Sequence, residues 1–115
     1  MEGRIRKRIP VLLDGELINH SGNCTAIISN ISENGIYAKL PIGEIEKNLP
    51  IDLNIFFLKI QLPTGELVNL KCTKKWSYQN SPGSLIEHVG IEVIAPPQQY
   101  KKYYQSLMLR HFKWQ

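Results

Sequence analysis

The 115 residues suffice for one domain with a single hydrophobic core that needs neither disulfide nor metal staples. Apolar residues make up 43%, yet no run approaches the roughly 20 apolar residues of a membrane span; the early segment Val11 to Leu13 stops at Asp14, so the chain is expected to be neither secreted nor inserted. The net charge of +4 favours an anionic partner without naming one.

The first nine residues form a basic arm in which Arg4, Arg6, Lys7 and Arg8 surround Ile5. An arginine fork grips phosphate bidentately and its flat face stacks on a nucleobase, although a solvated terminus looks the same in sequence. Pro10 opens an extended segment to Leu13, Asp14-Gly15 reads as a bulge or tight turn, and Leu17-Ile18 resumes the strand. After a turn at His20 to Asn23, the β-prone run Cys24 to Ile28 leads into Asn30-Ile31-Ser32-Glu33-Asn34-Gly35. Beyond it Ile36, Ala38 and Leu40 alternate with Tyr37 and Lys39, as in a strand with one buried face.

Pro41 to Pro50 reads as a connector. Asp52 to Leu62 is expected to be a long strand, with a phase change from Leu53, Ile55 and Phe57 to Phe56, Leu58, Ile60 and Leu62 that suggests a bulge or bend. Pro63-Thr64-Gly65-Glu66 is a turn signal, Leu67 to Trp76 the returning strand, Gln79 to Ser84 a polar loop, and His88 to Ile94 the last strand. Six strands with no helical period between them indicate an all-β sandwich or barrel, and periodicity does not separate the two. Pro96-Pro97 then suits a helix entrance. Tyr100, Tyr104, Leu107, Met108, His111 and Phe112 share one helical face, expected to pack on the strands. Tyr103, Leu109 and Trp114 fall partly outside it, as surface residues or a patch for a dimer or partner. Cys24 and Cys72 lie inside strand-like runs far from any CxxC spacing, so buried free thiols in a reducing cytoplasm are expected.

The turn at 30 to 35 carries the functional signal. Asn and Ser side chains bond nearby amides and glycine can take positive φ, but Asn34-Gly35 also suits a plain hairpin turn. Average residue usage produces [Asp/Asn]-x-Ser-x-x-Gly in roughly one chain in twenty of this length. Upstream, however, Arg4 and Arg8 form an RxxxR pair. Together with Asn30, Ser32 and Gly35 it resembles the PilZ domain family, known by RxxxR followed by [D/N]xSxxG. The resemblance covers nearly the whole chain. It implies a six-stranded antiparallel β-barrel with a C-terminal α-helix: an arm over 1–9, a barrel over 10–94 and a helix over 96–114. It also implies a cytoplasmic bacterial receptor for cyclic di-GMP, with no cofactor, that relays its signal to an unidentified effector protein as a monomer or weak homodimer.

On that resemblance Arg4 and Arg8 would grip phosphates or guanine, Asn30 would reach the ligand through its amide, Ser32 would donate a hydroxyl, and Gly35 would keep a Cβ out of the way. Asparagine stands where aspartate is commoner, which removes a charge that would hold an arginine in the empty protein. Lys7 adds phosphate attraction. Trp76 either offers guanine an aromatic platform or is buried in the core, the favoured of the two. Gly3 stands where members that take up a stacked ligand dimer carry a further arginine, which implies a single bound ligand.

Catalysis has no support: His20, His88 and His111 lack metal spacing, and no nucleophile triad or phosphate loop can be assembled. Binding of nucleic acid would need basic and aromatic residues interleaved on the strands, and only Lys74-Lys75-Trp76 offers that. An adaptor that works without nucleotide is the third alternative, opposed by the intact motif residues.

Overall fold

Alternation shapes the strands. In β3 (Gly35–Pro41) Ile36, Ala38 and Leu40 are buried with Tyr37 and Lys39 between them on the other face. Leu58 and Ile60 on β4 (Phe56–Gln61), and Val68, Leu70 and Cys72 on β5 (Leu67–Tyr78), repeat that period of two. With β1 (Ile9–Asn19), β2 (Gly22–Ile31) and β6 (Ile86–Ile94), these strands close an antiparallel barrel in the order β1-β2-β3-β6-β5-β4. The computed structural model describes residues 8–19, 22–41 and 55–112. Pairing of β1 with β4, from Gly15↔Ile60 to Ile18↔Phe57, completes the ring, so that none of the six described strands is left at an open edge. The barrel alternative, not the sandwich, is therefore the fold.

Asp14-Gly15 does not break β1. The irregularity sits between Pro10 and Leu13, where the register with β2 shifts and Leu12 is left 84% exposed. Gly15 instead serves close packing: a Cβ there would lie 3.3 Å from the Lys59 carbonyl and 3.4 Å from the Ile28 side chain. Of the expected long strand after the connector, the described residues form β4 over Phe56–Gln61, with Ile55 and Leu62 just outside it. The set Phe56, Leu58, Ile60 and Leu62 is the buried one, and β4 pairs with β5 without a register break. Pro41, the first residue of the expected connector, closes β3, and residues 42–54 lie outside the described residues. The turn at 63–66 forms as expected, with the Gly65 amide donating to the Leu62 carbonyl at 2.8 Å and Gly65 at φ 92°.

Ala95 takes φ 48°, and after Pro96-Pro97 the helix α1 runs Gln98–Phe112, the Lys101 amide donating to the Pro97 carbonyl at 3.1 Å. Tyr100 and Tyr104 enter the core, with Leu107 and Met108 half-buried against it. The side chains of His111, Phe112 and Trp114 lie outside the described set, and Leu109 is exposed. Among the described residues no helix is long and apolar enough to cross a membrane.

Cys24 and Cys72 are both buried and neither is in a disulfide. Burial pushes the Cys72 thiol up to about 12, so the neutral form that alkylating reagents ignore dominates in the folded chain. An alkylating reagent at about pH 8 should leave Cys72 unmodified in the native protein and modify it fully in denaturant. Rapid labelling of the native chain would contradict this burial.

Candidate functional site

The motif turn is built by a bulge. Ile28 pairs with Ala38, but the next pair is Asn30↔Tyr37, so Ser29 is the extra residue. In an unbroken strand Ile28 and Asn30 would share a face, and Asn30 would point into the core. The bulge turns Asn30 outward beside Tyr37 and returns Ile31, fully buried, to the inside opposite Ile36. The chain then reverses, with the Ser32 amide donating to the Gly35 carbonyl at 2.8 Å and the Val93 amide donating to the Asn34 carbonyl at 2.8 Å.

Helix α1 locks this turn from within. The Tyr100 hydroxyl donates to the Ser32 carbonyl at 2.7 Å and lies 3.3 Å from the Gly35 carbonyl. Burial, with lesser contributions from Cys72 and Tyr104, holds this phenol well above the usual phenol range, so the donor form persists. The Ser32 side chain is itself buried, and its hydroxyl has only a 3.5 Å contact with the Gly35 carbonyl, long for such a bond.

Arg8 stands just before the pair Ile9↔Ile31 and reaches across β1 and β2. Its Nη1 donates to Asn30 Oδ1 at 3.1 Å, so the two motifs meet although they lie 22 residues apart. The neutral amide thus still holds the arginine that an aspartate would have held by charge. Gly35 keeps the space below clear: a Cβ there would come within 2.9 Å of Ser32 Oγ and 3.9 Å of Arg8 Nη2. Gly35 is not among the positive-φ residues, so its requirement is room and not a left-handed backbone. Arg4 and Lys7 lie outside the described residues.

Arg8, Ser32, Asn34 and Gly35 form one wall of a cleft of about 290 Å³ whose other wall is Lys75, Ile91 and Glu92. Lys75 Nζ lies 3.5 Å from a Glu92 carboxylate oxygen, and both side chains are partly open to solvent. A larger hollow of about 510 Å³ between the start of α1 and the β4–β5 turn contains none of the motif residues.

A second bulge carries aromatic rings to the same outer surface. On β5, Lys74 pairs with Ile91 and Trp76 with Gly90, leaving Lys75 as the extra residue. Trp76 is therefore 41% exposed and not a core residue. Its indole lies over Gly90, where a Cβ would collide with the ring. Asn30, Tyr37, Gly90 and Trp76 are successive cross-strand neighbours, one row over β2, β3, β6 and β5. Trp76 stacks on Tyr78 at 5.7 Å, Tyr78 on His88 at 4.9 Å, and the Tyr37 ring sits 5.8 Å from the indole. The Tyr37 hydroxyl and His88 Nδ1 are 2.6 Å apart; burial first and Tyr78 second hold this phenol neutral above its ordinary range, so it can donate to that nitrogen. Gly90→Val should displace the indole and cost about 1–3 kcal/mol of stability, as overpacking does. An unchanged urea midpoint would show that the ring does not rest there.

Sequence reasoning missed Tyr37, Lys75, Gly90, Glu92 and the phenol of Tyr100. Alternation did place Tyr37 outward, and the basic-aromatic cluster Lys74-Lys75-Trp76 stood out. Glu92 had no signal, because a carboxylate is not sought beside arginines expected to grip phosphate.

The family model of the PilZ domain matches residues 3–110. No curated protein sequence matches the chain. Among solved structures the chain is similar to the Bacillus subtilis inhibitor of motility MotI/DgrA, with a TM-score of 0.74 at 19% identity over 98% of this chain and 53% of that one. It is also similar to the Borreliella burgdorferi PlzA protein solved in complex with cyclic di-GMP, with a TM-score of 0.64 at 14% identity over 95% of this chain and 53% of that one. The chain thus spans about half the length of either, and at these identities the likeness is one of fold.

Proposed function

This chain belongs to the PilZ domain family, and on that premise we propose that the cleft between Arg8 and Glu92 is a receptor site for cyclic di-GMP. The observation that carries the reading is the Arg8 to Asn30 hydrogen bond, which joins the two motifs over the space that Gly35 keeps open. The ligand has two phosphodiesters and two guanines. Arg8 takes a phosphate bidentately or bonds the O6 and N7 acceptors of guanine, giving up one neutral hydrogen bond to Asn30 worth about 1 kcal/mol. The released Asn30 amide then faces the ligand. Ser32, held only by its 3.5 Å contact, turns its hydroxyl to a ligand oxygen. The exposed indole of Trp76 receives a base, and such stacking contributes roughly 1–3 kcal/mol.

Arg4 and Lys7, carried on the same segment as Arg8, add phosphate contacts. Fixing that segment across the outer face of the barrel changes the surface offered to an effector protein, so the output is a shift in population and not a reaction. Titration calorimetry of the full chain with cyclic di-GMP at low ionic strength should give saturable binding. The affinity should fall as salt rises, because the arginine to phosphate attraction is partly screened. Absence of saturable heat at low salt refutes the reading.

A further inference from the structure

We propose that the Lys75–Glu92 pair reads the Watson–Crick edge of guanine and makes the site selective for guanine over adenine among cyclic dinucleotides. The inference rests on the reading of the cleft as a cyclic dinucleotide site. A carboxylate in the wall of an anion site repels phosphate unless something neutralises it or the ligand uses it. Lys75 Nζ, 3.5 Å away, neutralises it locally. A paired Glu92 is then tolerable, and a donor-rich base edge gives it a use.

The placement follows from the register. Tyr78 pairs with His88 and Trp76 with Gly90, and the next outward position of β6 is Glu92, opposite Gly35. Two residues along a strand span about 7 Å, roughly the breadth of a base. Tyr78 covers the indole on the His88 side. The direction away from Tyr78 along β6 leads to Glu92, while Lys75 is the bulged neighbour of Trp76 itself. A purine laid against the indole from the cleft therefore points an edge at the pair.

Guanine presents there an acceptor, O6, beside two donors, N1–H and N2–H. An ammonium next to a carboxylate is the complementary set: Lys75 donates to O6 while the two oxygens of Glu92 accept from N1–H and N2–H. Adenine reverses both matches, setting its N6 donor against the ammonium and its bare N1 against the carboxylate. The ion pair is long at 3.5 Å, and its side chains are 60% and 42% exposed, so both groups can turn to a base. As a surface ion pair alone it would add little to stability.

The test is titration calorimetry of the full chain and its Glu92→Gln, Lys75→Ala and Arg8→Ala variants with cyclic di-GMP, cyclic di-AMP and the inosine analogue that lacks N2. The wild-type protein should prefer cyclic di-GMP to cyclic di-AMP by about a hundredfold or more. Glu92→Gln should weaken cyclic di-GMP about ten- to hundredfold although it removes a negative charge. The same variant should lose most of the preference for guanine over inosine, and Lys75→Ala most of the preference for cyclic di-GMP over cyclic di-AMP. Arg8→Ala should weaken all three ligands together. Cyclic di-GMP binding by Glu92→Gln that equals or exceeds wild type, with the base preference unchanged, overturns the inference and leaves the receptor reading standing. Failure of the wild-type protein to bind any of the three overturns both.

Discussion

Replacing Arg8 by alanine is expected to abolish measurable cyclic di-GMP binding, a loss of about 2–5 kcal/mol, while Lys101→Ala leaves the affinity within about twofold. Both substitutions remove one positive charge from a chain of net charge +4, so bulk attraction changes equally. Only Arg8 lies over the motif turn, bonded to Asn30 and 3.9 Å from the point where a Gly35 side chain would begin; Lys101 is exposed on α1. Arg8→Lys separates charge from shape. It keeps the point charge and loses the planar fork, so an intermediate affinity is expected. The salt dependence of binding should flatten for Arg8→Ala and stay steep for Lys101→Ala. Because Arg8 is exposed, the unfolding free energy from urea titration should change little, by about 0.5 kcal/mol or less. Equal losses of affinity for the two alanine variants would refute the proposed site.

The meeting of Arg8 with Asn30 was legible from the paired motifs, and the inward face of β3 from alternation alone. Trp76 shows where that logic fails. In an unbroken β5, Leu70, Cys72, Lys74 and Trp76 would share a face with the core, and a tryptophan in that phase reads as buried. The bulge at Lys75 reverses the face three residues before the strand ends, and nothing in the residue types announces it. Conversely, Asp14-Gly15 carries the composition of a break, yet pairing to β2 and β4 on both sides holds it in the strand. Local preference yields there to the closure of the ring. The inward phenol of Tyr100 was hidden for another reason: a helical stripe identifies the residues that face the core, not the carbonyl that one hydroxyl at the tip will reach.

Tyr100 also sets the second large effect, because it joins the helix to the motif turn. Its side chain is fully buried, and its hydroxyl supplies the Ser32 carbonyl with a 2.7 Å hydrogen bond. Tyr100→Ala should cost about 3–5 kcal/mol through the cavity it leaves, a large share of the stability of a small domain. Tyr100→Phe keeps the ring and removes only the donor, so about 1–3 kcal/mol is expected in urea unfolding, with weaker cyclic di-GMP binding because the turn loses its inner anchor. The pH dependence separates this role from simple packing. The folded chain holds the phenol above its ordinary value through burial, whereas in the unfolded chain it ionises near pH 10. Above about pH 10 the unfolded state therefore binds fewer protons than the native state, and the contribution of the neutral phenol is lost as pH rises. The gap in stability between wild type and Tyr100→Phe should be full below about pH 9 and shrink by pH 11. Cys72, whose thiol is also held neutral by burial, is present in both proteins, so its own alkaline loss cancels from the difference to first order. A gap that stays constant across this range would mean that the hydroxyl proton is not what holds the turn to the helix.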